Sequence, residues 1–65
     1  MVLKTKRNGY FSLELKLNIC YEGGYLDILV ILDNLQNNRR QMKTYKGNEL
    51  EKALNQYEQW KTFIF

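Results

Sequence analysis

FSLELKLNICYEGGYLDILVILD, residues 11 to 33, decides the architecture of this 65-residue chain. Phe11, Leu13, Leu15, Leu17, Ile19 and Tyr21 alternate with Ser12, Glu14, Lys16, Asn18 and Cys20. A period of two marks a strand with one buried face. Gly23-Gly24 follows, and a glycine pair supplies the positive φ angles of a tight hairpin turn. Tyr25 to Asp33 is the next strand, rich in Leu, Ile and Val. With Gly23 and Gly24 as the two turn residues, Glu22 faces Tyr25, Tyr21 faces Leu26, Ile19 faces Ile28, Leu17 faces Val30 and Leu15 faces Leu32. Every inner pair is then apolar, whereas a slip of one residue would put Asp27 and Asp33 among the leucines.

Working outward, Asn34 to Asn38 is a polar loop with turn chemistry. Arg39 to Lys46 follows as a third strand of weak alternation. A tight Asn37-Asn38 turn points Tyr45 inward, and a loop one residue longer points Met42 and Thr44 inward instead. Gly47-Asn48-Glu49-Leu50-Glu51 opens a helix over 48–62, with Asn48 as N-cap and Glu51 three residues on. Leu50, Ala53, Leu54, Tyr57, Trp60 or Lys61, and Ile64 form its apolar stripe, which should cross the leucine face of the sheet. On the other side, Asn8-Gly9 is a hairpin signal that would fold Val2 to Arg7 back as an edge strand; the rival is a mobile basic arm over residues 1–8. The expected fold is α+β: one domain over 1–65, with an antiparallel meander of strands at 10–21, 25–33 and 39–46, a fourth strand if the first residues pair, and one helix packed on one face.

Composition narrows the function classes. A chain of this size buries only about 60% of the surface its unfolded form exposes, which leaves no room for a cofactor fold or a deep cleft. There is no histidine and one cysteine, Cys20, so neither a disulfide framework nor a usual zinc site can be built. No cofactor and no metal are expected. Charge at Lys4 interrupts any signal-peptide pattern, and Ile28 to Leu32 is too short an apolar run to span a membrane. The expectation is a cytoplasmic protein that engages no membrane. Cys20, expected opposite Asp27, would have its thiol pKa raised by the carboxylate, the wrong direction for a nucleophile. Glu14 and Asp33, expected side by side on the outer face, make a carboxylate pair that nearby arginines would turn into a structural charge cluster. An enzyme is not expected.

The net charge of +3 is unevenly spread: +3 over residues 1–8, −3 over 9–33, +4 over 34–47 and −1 over 48–65. In an antiparallel sheet Lys4, Lys6 and Arg7 should gather with Arg39 and Arg40 at the end away from Gly23-Gly24, a plausible phosphate-contacting patch. The outer face should carry Tyr25, Leu29 and Ile31 beside Lys16 and Asn18, a mixture that suggests contact with something. Trp60, Phe63, Ile64 and Phe65 make an apolar finish that either folds back to close the core, with Tyr10, Phe11 and Tyr57, or docks into a partner.

The stretch Arg39-Arg40-Gln41-Met42-Lys43-Thr44-Tyr45-Lys46 with its capped helix is similar to the last strand and helix of two groups of DNA-binding modules. These are the arm-site-binding domains of tyrosine recombinases and the plant ethylene-response-factor type domains. The resemblance is one of architecture, covers about a third of the chain and contains no specific motif; the aliphatic second strand departs from both groups. It implies a sheet face laid into the major groove. The first expected function is therefore non-enzymatic binding of nucleic acid, DNA above all. Lys4, Lys6, Arg7, Arg39, Arg40, Lys43 and Lys46 would meet phosphates, and Lys16, Tyr25 and Tyr45 the groove. The alternative is a small protein-binding inhibitor or adaptor of the kind carried by phages and mobile elements. It would act through Tyr25, Leu29, Ile31, Trp60, Phe63 and Phe65, as a monomer or a homodimer.

Overall fold

Among the described residues, four strands and one helix follow one another: β1 (Val2–Arg7), β2 (Phe11–Cys20), β3 (Tyr25–Asn34), β4 (Arg39–Lys46), a 3-10 turn (Gly47–Glu49) and α1 (Leu50–Ile64). The computed structural model describes residues 1–20 and 22–65, residue 20 through its backbone. The strands form one antiparallel sheet in the order β1-β2-β3-β4. This is the expected α+β meander, and the first residues form its fourth strand rather than an arm. A bulge between Val2 and Lys4 interrupts β1, the outermost strand on that side.

The faces are as the alternation dictates, but the register differs. Leu13 pairs with Leu32, Leu15 with Val30, Leu17 with Ile28 and Ile19 with Leu26. The expected partners are all displaced by two residues, and Tyr21 lies outside the described residues. Cys20 pairs with Tyr25 rather than Asp27, so four residues, 21 to 24, lie between the two strands. The reason is in the backbone: Gly24 takes a positive φ of 68° while Gly23 does not, and a two-residue I′ turn needs both. A shift of two returns every side chain to its own face, so the leucines still meet apolar partners.

The other two hairpins follow the same rule. Asn8 donates its N–H to the Phe11 carbonyl, leaving Gly9 and Tyr10 at the tip. The Asn8 Oδ1 accepts the N–H groups of Tyr10 at 2.7 Å and Phe11 at 2.8 Å, so Asn8 acts through its side chain and not through a left-handed backbone. Asn34 pairs with Arg39, which makes the next connection four residues long and closes it on Asn38 at φ 56°. Its even length settles the orientation of β4: Tyr45 faces inward, half-buried against the core, and Met42 faces out.

Leu13, Leu15, Ile28 and Val30 are fully buried and, with Leu32, Ala53 and Tyr57, make the core. Each large aliphatic side chain so buried contributes roughly 1.5–3 kcal/mol. Leu54, Trp60 and Ile64 extend the helical stripe and pack on the same cluster with Phe11 and Leu17. Leu50 departs from the expected stripe and is exposed. The helical turn also begins earlier than expected. A Cβ at Gly47 would lie 3.2 Å from the Leu26 carbonyl oxygen, so a residue without a side chain lets the chain turn close against β3. Asn48 therefore sits inside the 3-10 turn and is no N-cap. Glu49 performs that service instead, accepting the Lys46 N–H at 3.0 Å.

The helix crosses the sheet obliquely. It starts where Gly47 touches Leu26 of β3 and ends with Phe65 beside Lys6 of β1. Its far half therefore lies over β2 and only reaches toward β1, whose residues all stay exposed, and the corner where β4 begins stays open.

Candidate functional site

β4 is an open edge strand with four cations and no carboxylate, and its alternation divides them between two environments. Arg40, on the outer face, stands opposite Asp33 and grips it twice, Nε to Oδ1 at 2.6 Å and Nη2 to Oδ2 at 3.2 Å. That hydrogen bonding, and then the Asp33 charge, hold the Arg40 guanidinium above its ordinary pKa. Lys46, on the same face, stands opposite Asp27. Arg39 and Lys43 point to the helix side and stand opposite Asn34 and Val30. Among the described residues, no carboxylate lies within ion-pair distance of either. Gln41 lies between them on the same side, opposite Leu32.

The uncovered corner next to Arg39 is concave. A shallow cleft of about 240 Å³ is lined by Phe11, Leu32, Asn34, Asn37, Arg39 and Gln41. Its floor is apolar and its rim carries amides and one guanidinium. The Asn34 Oδ1 accepts the Gln36 N–H and the Asn37 Oδ1 accepts the Arg39 N–H, both at 3.1 Å. Each carbonyl oxygen thereby has one of its two lone pairs engaged by the loop backbone. Each side chain keeps its NH2 as a donor, and among the described residues neither NH2 has a partner. A wider depression of about 510 Å³ at the start of the helix is lined by Lys46, Asn48, Glu49, Glu51 and Lys52. It has no apolar floor, and Glu49 is already bonded to Lys46 and Lys52, which holds its carboxyl below the usual range.

The other expected residues are dispersed. Lys4 and Lys6 pair with Leu15 and Leu13, so they point to the helix side of β1. Lys4 lies 3.8 Å from Glu58 and over the Tyr57 ring, and Lys6 over the Phe65 ring. Arg7 faces outward. β1 and β4 are opposite edges of the sheet, about 14 Å apart at three strand spacings. Arg7 and Arg40 do share the end of the sheet away from Gly23-Gly24, in one cross-strand row, but Ser12 and Asp33 stand between them, so Lys4, Lys6 and Arg7 form no contiguous patch with Arg39 and Arg40. Charges pointing inward along an outer strand guard it against pairing with another sheet, which accounts for Lys4 and Lys6.

The outer face is better compensated than expected. Cross-strand rows run Arg7, Ser12, Asp33, Arg40; then Thr5, Glu14, Ile31, Met42; then Lys16, Leu29, Thr44; then Asn18, Asp27, Lys46. Glu14 is opposite Ile31 and only diagonal to Asp33, a correction to the expected carboxylate pair that follows from the shift of register. Ile31 is 7% exposed and offers no free apolar surface, while Leu29 is half-buried and offers part of one. Lys16 is half-buried, and Tyr45 lies on the helix side, away from any contact made by the outer face. Tyr25 is exposed, its ring folded over Gly23. At the other end, Trp60 packs on the core and Phe65 is partly exposed, while Phe63 projects from the helix at 88% exposure.

Among the described residues no helix is long and apolar enough to cross a membrane, and no three His, Cys, Asp or Glu side chains cluster as a metal site would require. No protein-family model, curated protein or solved structure matches the chain.

Proposed function

We propose that this chain is a small non-enzymatic nucleic-acid-binding protein that meets the phosphate backbone with the helix-side rim of β4. One observation carries the reading: of the four β4 cations, Arg39 and Lys43 share one face with uncharged cross-strand partners, beside a corner the helix leaves open. Cations without counter-charges hold the mobile ions that a polyanion displaces, and that release drives binding. Arg40, bonded twice to Asp33, contributes little to such release, and Lys46 stands on the other face opposite Asp27, away from this rim. The basic strand supports the reading made from the sequence, with the contact surface moved from the outer face to the helix side.

The test is a fluorescence-anisotropy titration of labelled single-stranded and duplex DNA at about 50 and 200 mM salt. The wild type should bind at low salt and weaken at high salt, and Arg39→Glu/Lys43→Glu should not bind. Both residues are exposed, so the variant should keep the circular dichroism of the parent. Absence of wild-type binding at the lower salt would end the proposal.

A second reading is favoured by Phe63, whose ring projects from the last turn of the helix almost wholly exposed and close in sequence to the partly exposed Phe65. A protein partner seated on Phe63, with a second copy of the chain included, would bind with little response to salt and would be lost in Phe63→Ser.

A further inference from the structure

We infer that the cleft at the start of β4 receives one unstacked nucleobase of a single strand, with Arg39 on the adjoining phosphate. This rests on the nucleic-acid reading and names the form of the ligand. The volume, about 240 Å³, falls below the range of pockets that enclose drug-sized molecules and suits one planar ring system. Phe11 and Leu32 give that ring an apolar floor, and Phe11 presents an aromatic group on which bases stack irrespective of sequence. The rim is rich in donors. The Asn34 and Asn37 oxygens each already accept one loop N–H, while both NH2 groups are without a partner among the described residues. Arg39 offers only donors, Gln41 offers one group of each kind, and among the described residues no carboxylate lines the cleft. A ligand rich in acceptors and negative charge is thereby favoured, and a base edge with its phosphate is both.

The placement favours a single strand. The cleft is recessed between the sheet corner and the loop that joins β3 to β4, and a base stacked and paired within a duplex cannot enter such a recess. Arg39 and Lys43 flank Gln41 on the same face, so the strand would continue along the rim of β4 after seating its base.

The test uses the intact chain and three labelled probes of about 15 nucleotides: oligothymidylate, an abasic phosphodiester strand of equal length, and a duplex. Oligothymidylate should bind about ten-fold more tightly than the abasic strand, the equivalent of one stacked base. Phe11→Leu, which removes the aromatic face and leaves every charge and the apolar floor in place, should bring oligothymidylate down to the level of the abasic strand without changing the latter. Phe11 is only half-buried and leucine keeps the site apolar, so the substitution should fold. Equal, salt-sensitive binding of all three probes would leave the nucleic-acid reading standing and overturn the cleft. A preference that survives Phe11→Leu would also overturn it. Binding of none of the probes would remove both readings together.

Discussion

The division of the β4 cations gives a prediction that can be worked residue by residue. The logarithm of a single-strand binding constant falls with the logarithm of salt by about 0.7 for each phosphate neutralised. Arg39 and Lys43 are the two helix-side cations of β4 with uncharged cross-strand partners, so the slope expected from them is about −1.4. Raising salt four-fold should then weaken binding about seven-fold. Arg39→Gln and Lys43→Gln should each halve the slope, and the double substitution should remove it. The control replaces the ion pair as a unit. Arg40→Gln/Asp33→Asn deletes a guanidinium bonded at 2.6 and 3.2 Å together with the carboxylate that holds it, leaving the net charge unchanged. It should leave the slope where it was. The assay is anisotropy over a salt series, with the slope as readout. If the control lowers the slope as much as Arg39→Gln/Lys43→Gln does, or if that double leaves it intact, cross-strand compensation is not what selects the binding cations.

Three further outcomes follow from particular contacts. Backbone hydrogen bonding from Lys46, and then the Lys52 ammonium, lower the Glu49 carboxyl from its ordinary pKa of 4.5. The unfolded chain takes up that proton at higher pH than the fold, so the contribution is complete above about 4.5 and is lost as pH falls through and below it. Glu49→Gln should lower Tm near neutrality, and the gap from the wild type should close on acidification. Gly24→Ala should cost about 1–2 kcal/mol by chemical denaturation, because φ is positive there, whereas Gly23→Ala should cost much less, since the Tyr25 ring over it can swing into solvent. Lys6→Val should change stability by less than about 1 kcal/mol but produce concentration-dependent association by size-exclusion chromatography, because it strips an inward charge from an outer strand.

How far the fold is legible follows from what each pattern encodes. Alternation over residues 11–33 encodes which face a residue occupies, and among the described residues the pairing matches it, although Ile19, on the helix side near the turn, stays exposed. Partner identity is not encoded in the same way. Leu15 meets an apolar residue opposite Leu32 and equally opposite Val30, so a shift by two costs the pattern nothing. What selects between the two is loop geometry, and that rests on one dihedral at Gly24. Asn8 and Asn48 make the same point for polar residues. Both have side chains fit for turns and caps, but Asn8 is used through its oxygen and Asn48 yields to Glu49, because Gly47 must approach Leu26.

The site was less legible, and for an electrostatic reason. Net charge by segment treats every lysine and arginine as equal, yet in a sheet the cross-strand neighbour decides whether a cation is already satisfied. Asp33 and Asp27 belong to the acidic segment, and pairing delivers them to Arg40 and Lys46. A signal was nevertheless present. Once Tyr45 is taken to face inward, Arg39, Gln41 and Lys43 must face inward too, and three polar residues in succession on a core-facing side mean that nothing apolar covers them. A 15-residue helix anchored at Leu26 and ending beside Lys6 has to leave that corner open. The polar inner face of β4 and the oblique helix are therefore two expressions of one arrangement, and the cleft beside Arg39 is its geometric consequence.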